Sequence, residues 1–265
     1  MNKLFTYNLF SRIFFLILTP TLFRILNFAF VWHSIYWGVI TWAVVIWGAM
    51  ILFSPIIGKA YCGWICFIGT LQDFQSQQSI FKIPWRKPKL FIRIAIVISF
   101  FASALLFYFI NLKSGLISEA RVNLWFLNMD FNDHYKYIWI YDCLGAILFG
   151  FFLDKRWMCR NLCVMGSLCA AGTSFSRLIP VVDTDKCNLC RKCEKDCLVK
   201  IPITTYIVKN NGLVTNAECL ICGKCIESCY RKAISIKFVW NRKRYKQNNS
   251  AGNRTYKPIA LDDVN

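Results

Sequence analysis

The sequence predicts an α-helical membrane domain of four spanning helices, arranged as two tandem hairpins, joined to a small α+β domain. Three observations carry that expectation: an apolar composition, long uncharged segments in the first two thirds of the chain, and two identically spaced cysteine runs in the last third. Of the 265 residues, 56% are hydrophobic and 17% charged, against about 45–50% and about 25% in ordinary soluble domains. Such a chain carries more apolar surface than one core of its size would hide. It is too rich in aromatic and aliphatic residues to stay disordered, and too long and apolar for a secreted disulfide scaffold. A formal charge of +18 and fourteen cysteines remain to be explained.

A spanning helix needs about 20 mostly apolar residues. Four segments qualify. Residues 13–32 are interrupted by Pro20, Arg24 and Asn27, residues 35–57 carry no formal charge, residues 91–110 hold Arg93 near one end, and residues 137–153 enclose Asp142. Lysine and arginine favour the cytoplasmic side of a membrane. The loop 58–90 holds Lys59, Lys82, Arg86, Lys87 and Lys89 against the lone acid Asp73, whereas in the loop 111–136 acids and bases balance. Both termini and the first long loop are therefore expected in the cytoplasm, with 111–136 outside a bacterial-type inner membrane. The expected division is a transmembrane domain at 1–175, a cysteine-rich domain at 176–240 and a basic polar tail at 241–265. Between Arg231 and Lys257 there is no acid. A juxtamembrane basic run beside anionic lipid needs no other partner, so membrane lipids, not nucleic acid, are the expected contact.

Cys187, Cys190, Cys193 and Cys197 read C-x2-C-x2-C-x3-C, and Cys219, Cys222, Cys225 and Cys229 repeat the spacing. This is the bacterial ferredoxin signature for 4Fe–4S clusters. Three thiolates on a tight loop reach three irons of one cube, while the fourth, expected to open a helix, ligates the cluster of the other run. Cluster one is thus expected on Cys187, Cys190, Cys193 and Cys229, and cluster two on Cys219, Cys222, Cys225 and Cys197. Structural zinc usually wants C-x2-C pairs separated by a longer gap, and disulfides are disfavoured in a reducing cytoplasm. Between the runs, residues 203–208 and 213–215 flank Asn210-Asn211-Gly212 and predict a β-hairpin, with 233–238 as a closing strand. A unit this small has little apolar core, so clusters should supply much of its stability.

Four more cysteines form a second repeat. Cys62 and Cys66 follow the second segment, Cys159 and Cys163 follow the fourth, and each C-x3-C has a glycine three residues on, Gly69 and Gly166. On a helix that separation puts both thiols on one face. Either the hairpins' pseudo-symmetry brings the four thiols together around a third metal centre, or they are interfacial thiols with no ligand role. Cys143 and Cys169 have no partner spacing and are expected as small buried residues.

Two helical hairpins each ending in C-x3-C, then twin ferredoxin motifs, resemble the membrane-bound polyferredoxins of the NapH type, the quinol-oxidising 4Fe–4S membrane subunit family. The likeness covers about 13–240. The prolines usual after the fourth ferredoxin cysteines and after C-x3-C are replaced by Leu198, Tyr230, Phe67 and Val164. The resemblance implies a membrane-anchored iron–sulfur carrier passing electrons between the quinone pool and a separate redox protein, a second ferredoxin subunit or a terminal reductase. The alternatives are a maturation reductase that feeds electrons to a partner enzyme's metal or cofactor, or a redox sensor. No G-x-G-x-x-G follows a strand, and the only histidines, His33 and His134, do not pair to hold haem. No catalytic residue is nominated, although Asp142 and Arg24 stand out as ionisable groups within apolar segments.

Overall fold

A computed structural model of the chain describes residues 3–18, 25–75, 90–115, 121–122, 138–152, 156–242 and 245. The first part runs α1 (Lys3–Ile17), α2 (Ala29–Tyr36), β1 (Val39–Ile40), α3 (Trp42–Ile57), α4 (Ala60–Trp64), α5 (Phe67–Gln75), α6 (Leu90–Lys113), β2 (Arg121–Val122), α7 (Ile138–Phe152), α8 (Trp157–Asn161) and α9 (Val164–Thr173). The cysteine-rich part follows as β3 (Leu178–Val182), α10 (Lys192–Lys195), α11 (Ile203–Asn210), α12 (Lys224–Ser228) and β4 (Ile234–Phe238).

Among the described residues one helix, α6, is long and apolar enough to cross a membrane, with 24 residues, or about 36 Å of rise. The 16 residues of α3 reach about 24 Å, short of a bilayer core of about 30 Å. The expected segment 13–32 is not one helix, because α1 ends at Ile17 and α2 begins at Ala29. The segment 35–57 is likewise broken. Gly38 turns the chain at φ +63°, Thr41 is extended, and β1 pairs in parallel with β2. Ser34 Oγ bonds both Phe30 O and Thr41 Oγ1 across this break, which gives its polar groups partners away from water. Large apolar side chains stay exposed along the helices, among them Phe10, Leu52, Phe91, Leu106 and Leu144. Such a surface fits contact with lipid. Arg24, His134 and the basic residues 82–89 lie outside the described residues.

The two hairpins exchange partners. The short helix after the first C-x3-C, α5, packs on α7 of the second repeat, while α9 packs on α3 of the first. Close approach at the second contact depends on Gly172, where a Cβ would stand 1.8 Å from Ser54 Oγ. Phe30, Trp47, Tyr61, Phe67, Met165 and Cys169 fill the core between them. Cys169 is thus the small buried residue expected, and Cys143 packs, half-buried, on the same core.

In the cysteine-rich part, β3 and β4 pair antiparallel, with Val181 opposite Ser235. The expected hairpin at 203–215 does not form. Residues 203–210 are helical because Ile203 and Ile207, four apart, bury one face, and Glu194 Oε1 accepts both the N–H and the hydroxyl of Thr204 at the helix start. Asn211-Gly212, which would suit a hairpin turn, serves as the helix end. Asn211 is left-handed, and Gly212 N–H reaches Tyr206 O at 3.2 Å. A side chain at Gly212 would meet Val182 O at 2.1 Å. Leu213 makes an isolated bridge with Val181 and no strand.

Under the exchanged helices lies a buried ion triad. Asp73 accepts from Arg12 at 2.5 Å and from Arg156 Nε at 2.8 Å. Asp73→Ala would leave two buried cations without a counter-charge, at a cost of about 3–5 kcal/mol. The unfolding midpoint of the detergent-solubilised variant is expected to drop by several degrees, and an unchanged midpoint would contradict this account.

Candidate metal centres

The two ferredoxin-like runs fold alike. Leu189 and Ile221, two residues past the first cysteine, are left-handed, as are Arg191 and Gly223 two residues later, and Lys200 and Lys232 after the fourth cysteine. The third cysteine of each run, Cys193 or Cys225, sits in a short helix, α10 or α12. The fourth does not open a helix as expected. Cys229 caps the C-terminus of α12, and Cys197 follows the last residues of α10. The chain has to turn away there, because Val199 and Ile201 beyond Cys197 enter the core. Each fourth sulfur accepts an N–H from four residues on, Ile201 to Cys197 at 3.4 Å and Ala233 to Cys229 at 3.3 Å.

Two recesses result. One, with about 400 Å³ of empty space, is lined by Cys187, Cys190, Cys193 and Cys229. The other, with about 480 Å³, is lined by Cys219, Cys222, Cys225 and Cys197. The fourth cysteine of each run therefore faces the recess of the other. The remaining lining includes Leu189, Ile207, Leu220, Ile221 and Ile234 and holds no acid. Burial pushes the Cys193 and Cys219 thiols up to about 12 and Cys197 up to about 11, so thiolates there call for cationic partners. A single zinc gathers its thiolates about 2.3 Å from one point. No group of three or more such side chains is gathered around a single ion among the described residues. The donor set, four thiols on each recess, suits iron–sulfur cubes, which are held by four thiolates. Where proline was expected, Leu198 lines a recess and the Tyr230 hydroxyl accepts from Asn188.

The C-x3-C pairs are not on one helical face. Each straddles a helix break. Cys62 lies in α4 and Cys66 in the gap before α5, and Cys159 lies in α8 with Cys163 as N-cap of α9. The breaks match bond for bond. Ile65 and Cys66 both donate to Tyr61 O at 2.9 and 3.1 Å, and Leu162 and Cys163 both donate to Met158 O at 2.9 and 3.1 Å. Cys66 and Cys163 then face the first turn of the following helix, where backbone N–H groups have no helical partner. Gly69 and Ile68 N–H bond the Cys66 sulfur, and Gly166 and Met165 N–H bond that of Cys163. The glycines leave room for neighbours from the same site: a Cβ at Gly166 would meet Cys159 O at 2.6 Å, and one at Gly69 would stand 3.1 Å from the Arg156 guanidinium. The exchanged packing brings the pairs together. Burial raises the Cys159 thiol, and Cys66, Cys163 and Cys62 add to that rise from within electrostatic reach.

Sequence reasoning missed the charges around these thiols. Lys59 and Arg156 each stand three residues before the first cysteine of their pair, a regularity visible in the repeat. Arg156 is buried and donates to Cys62 O at 2.6 Å. Lys59 and Arg93 clasp Glu218 at 2.8 and 2.6 Å, and Glu218 immediately precedes Cys219. Burial opposes the Glu218 charge, yet Lys59 and Arg93 hold the carboxyl below its ordinary value. Trp64 Nε1 donates to Ile221 O at 3.0 Å, and Cys62 packs against both cores. The first C-x3-C break thus lies directly on the Cys219–Cys222 loop. Asp142, the other nominated ionisable residue, accepts a hydrogen bond from Asn27.

Against known proteins, the family described as a 4Fe-4S binding domain matches residues 39–93, the stretch containing α3, the first C-x3-C and α5. An uncharacterized protein of Methanocaldococcus jannaschii is 26% identical over 197 residues, 73% of this chain and 71% of its own length. The putative electron transport protein YccM of Escherichia coli is 26% identical over 68% of this chain and 51% of its own. The ferredoxin-type protein NapH of Haemophilus influenzae is 27% identical over 71% of this chain and 65% of its own. The chain therefore spans about half the length of YccM and just under two thirds of NapH. No solved structure matches. Cysteine-lined recesses, a 4Fe-4S domain match and ferredoxin-type relatives together define an iron–sulfur protein. The chain is similar to ferredoxin-type electron transport proteins of the NapH and YccM kind.

Contact between the two parts turns on Gly63, where a Cβ would fall 2.4 Å from Leu220 O. Gly63→Ala should loosen the docking and speed proteolysis of the connection at residues 174–177. Gly48→Ala, whose Cβ meets nothing within 4 Å, should leave the cleavage rate unchanged. Equal rates in the two variants would refute the contact.

Proposed function

We propose that the protein is a membrane-anchored electron carrier linking the quinone pool to a separate redox protein through two 4Fe–4S clusters. Cluster one is held by Cys187, Cys190, Cys193 and Cys229, and cluster two by Cys219, Cys222, Cys225 and Cys197. The observation that carries the reading is the pairing of four cysteines in each recess, with the second recess set against the first C-x3-C break. Bound clusters would supply one-electron redox chemistry. The chain's own residues give the path direction. Glu218, Lys59 and Arg93 fix the cluster-two loop on the helical part, and the apolar lining keeps water from the sulfurs. The cluster-one recess opens outward, with Cys190 exposed and Arg191, Lys192 and Arg231 among its lining. A basic rim of this kind suits an acidic docking face on the redox partner.

A quinol oxidised at the membrane gives up two electrons and two protons, which matches two one-electron sites in series. The name of YccM, a putative electron transport protein, supports transport of electrons over maturation or sensing. The exposed apolar helices and α6 support membrane anchoring, and the excess of lysine and arginine in the loop 58–90 and in the C-terminal part supports a cytoplasmic face for both termini.

Two measurements test this. By electron paramagnetic resonance, Cys197→Ser should lose the same signal as Cys225→Ser, and Cys229→Ser the same as Cys193→Ser. Losses that follow each run separately would overturn the crossed assignment. Anaerobic mixing of the purified protein with a menaquinol analogue should reduce the clusters within the mixing time. Clusters that stay oxidised, yet accept electrons from dithionite, would sink the quinone link.

A further inference from the structure

We propose that Cys62, Cys66, Cys159 and Cys163 together hold a third iron–sulfur centre, with the Gln72 side-chain amide as hydrogen-bond donor to its Cys159 sulfur. The proposal rests on the iron–sulfur reading of the chain and extends it to a site shared between the two repeats.

Four observations converge on it. The exchange of α5 and α9 between hairpins draws both C-x3-C breaks to one place: Cys62, Cys66 and Cys163 pack on one core, and Cys159 reaches Gln72 of α5 at 3.3 Å. Cys66 and Cys163 already receive backbone N–H groups from helix starts, the kind of donor that steadies an iron-bound thiolate. Arg156 and Lys59 set positive charge beside ligands that bring four negative charges.

Gln72 supplies the fourth observation. It is 1% exposed, its Oε1 accepts from the Cys159 thiol at 3.3 Å, and its Nε2 is buried with no hydrogen-bond partner. A buried amide N–H left unmade is costly. An iron-bound cysteine has no proton to give Oε1, and its sulfur can only accept. A half-turn of the amide then sets its NH2 group on that sulfur and leaves a carbonyl oxygen in the former place, the better tolerated of the two orphans. Gln72 is thus a positioning residue poised for the metal-bound state. The site lies against the Leu220 loop, between the apolar helices and cluster two, where the path of electrons needs a relay.

The test is iron analysis, spin quantitation and redox titration of the full chain purified anaerobically in detergent. About ten or twelve irons per chain are expected, above the eight of two cubes. The double variant Cys62→Ser/Cys159→Ser should fall to about eight while keeping both ferredoxin signals. Gln72→Leu should keep its iron but move one of three midpoint potentials downward, since hydrogen bonds to sulfur stabilise the reduced cluster. Eight irons with both ferredoxin signals in the unaltered chain would overturn the third centre alone. Loss of those signals as well would overturn the carrier reading and this proposal with it. Three signals with none shifted in Gln72→Leu would overturn the role of Gln72.

Discussion

A carboxylate shielded from water has to find its counter-charges in the protein, and Glu218 finds them on two different elements of the helical part. Lys59 comes from the junction of α3 and α4, and Arg93 from the first turn of α6, whose Nε also reaches Arg160 O. One anion therefore ties the first repeat, the second repeat and the ferredoxin-like unit to one point. Surface ion pairs contribute little. This one is buried, and deleting either kind of partner leaves a charge with nowhere to go. The seating of the Cys219–Cys222 loop on the first C-x3-C break depends on that clasp.

The exchange of short helices between hairpins is the second organising fact. A C-x3-C motif at the end of its own hairpin would place two thiols at the edge of a bundle. Because α5 lies on α7 and α9 on α3, both motifs turn inward, and the polar ends of four short helices meet in the interior. The matching bonds to Tyr61 O and Met158 O show that the two repeats share backbone geometry although their side chains differ. Lys59 and Arg156 occupy equivalent positions yet serve different anions, Glu218 and Asp73.

Cysteine spacing singled out both runs and set the expectation of exchanged fourth cysteines, and the recesses bring the same side chains together. Conformation was not legible in this way. The run Ile203, Thr204, Thr205, Ile207, Val208 is β-branched, and with Asn-Gly after it the local signals favour strands. Burial of Ile203 and Ile207 on one face and the cap from Glu194 override them. Likewise the C-x3-C spacing predicted one helical face, but Cys163 is an N-cap with extended backbone, a role that spacing alone does not reveal. Continuous apolar segments hid helix breaks at Gly38 and before Ala29. The acids Asp73 and Glu218 were visible, but their partners lie 61 to 159 residues away in sequence, beyond the reach of any local pattern.

The exchanged fourth cysteines carry a consequence for how the protein is made. On the crossed assignment, the first cube lacks a ligand until Cys229 has left the ribosome, and the second needs Cys197, made 28 residues before the last of its other three, Cys225. Neither run matures by itself, so a nascent chain holds no finished cube until nearly all of it has been synthesised. Truncation anywhere before residue 229 leaves an incomplete site exposed to oxygen, and the assembly apparatus that loads iron meets both vacancies in the same product. Synthesis and metal insertion are thereby separated in time by the order of the residues alone.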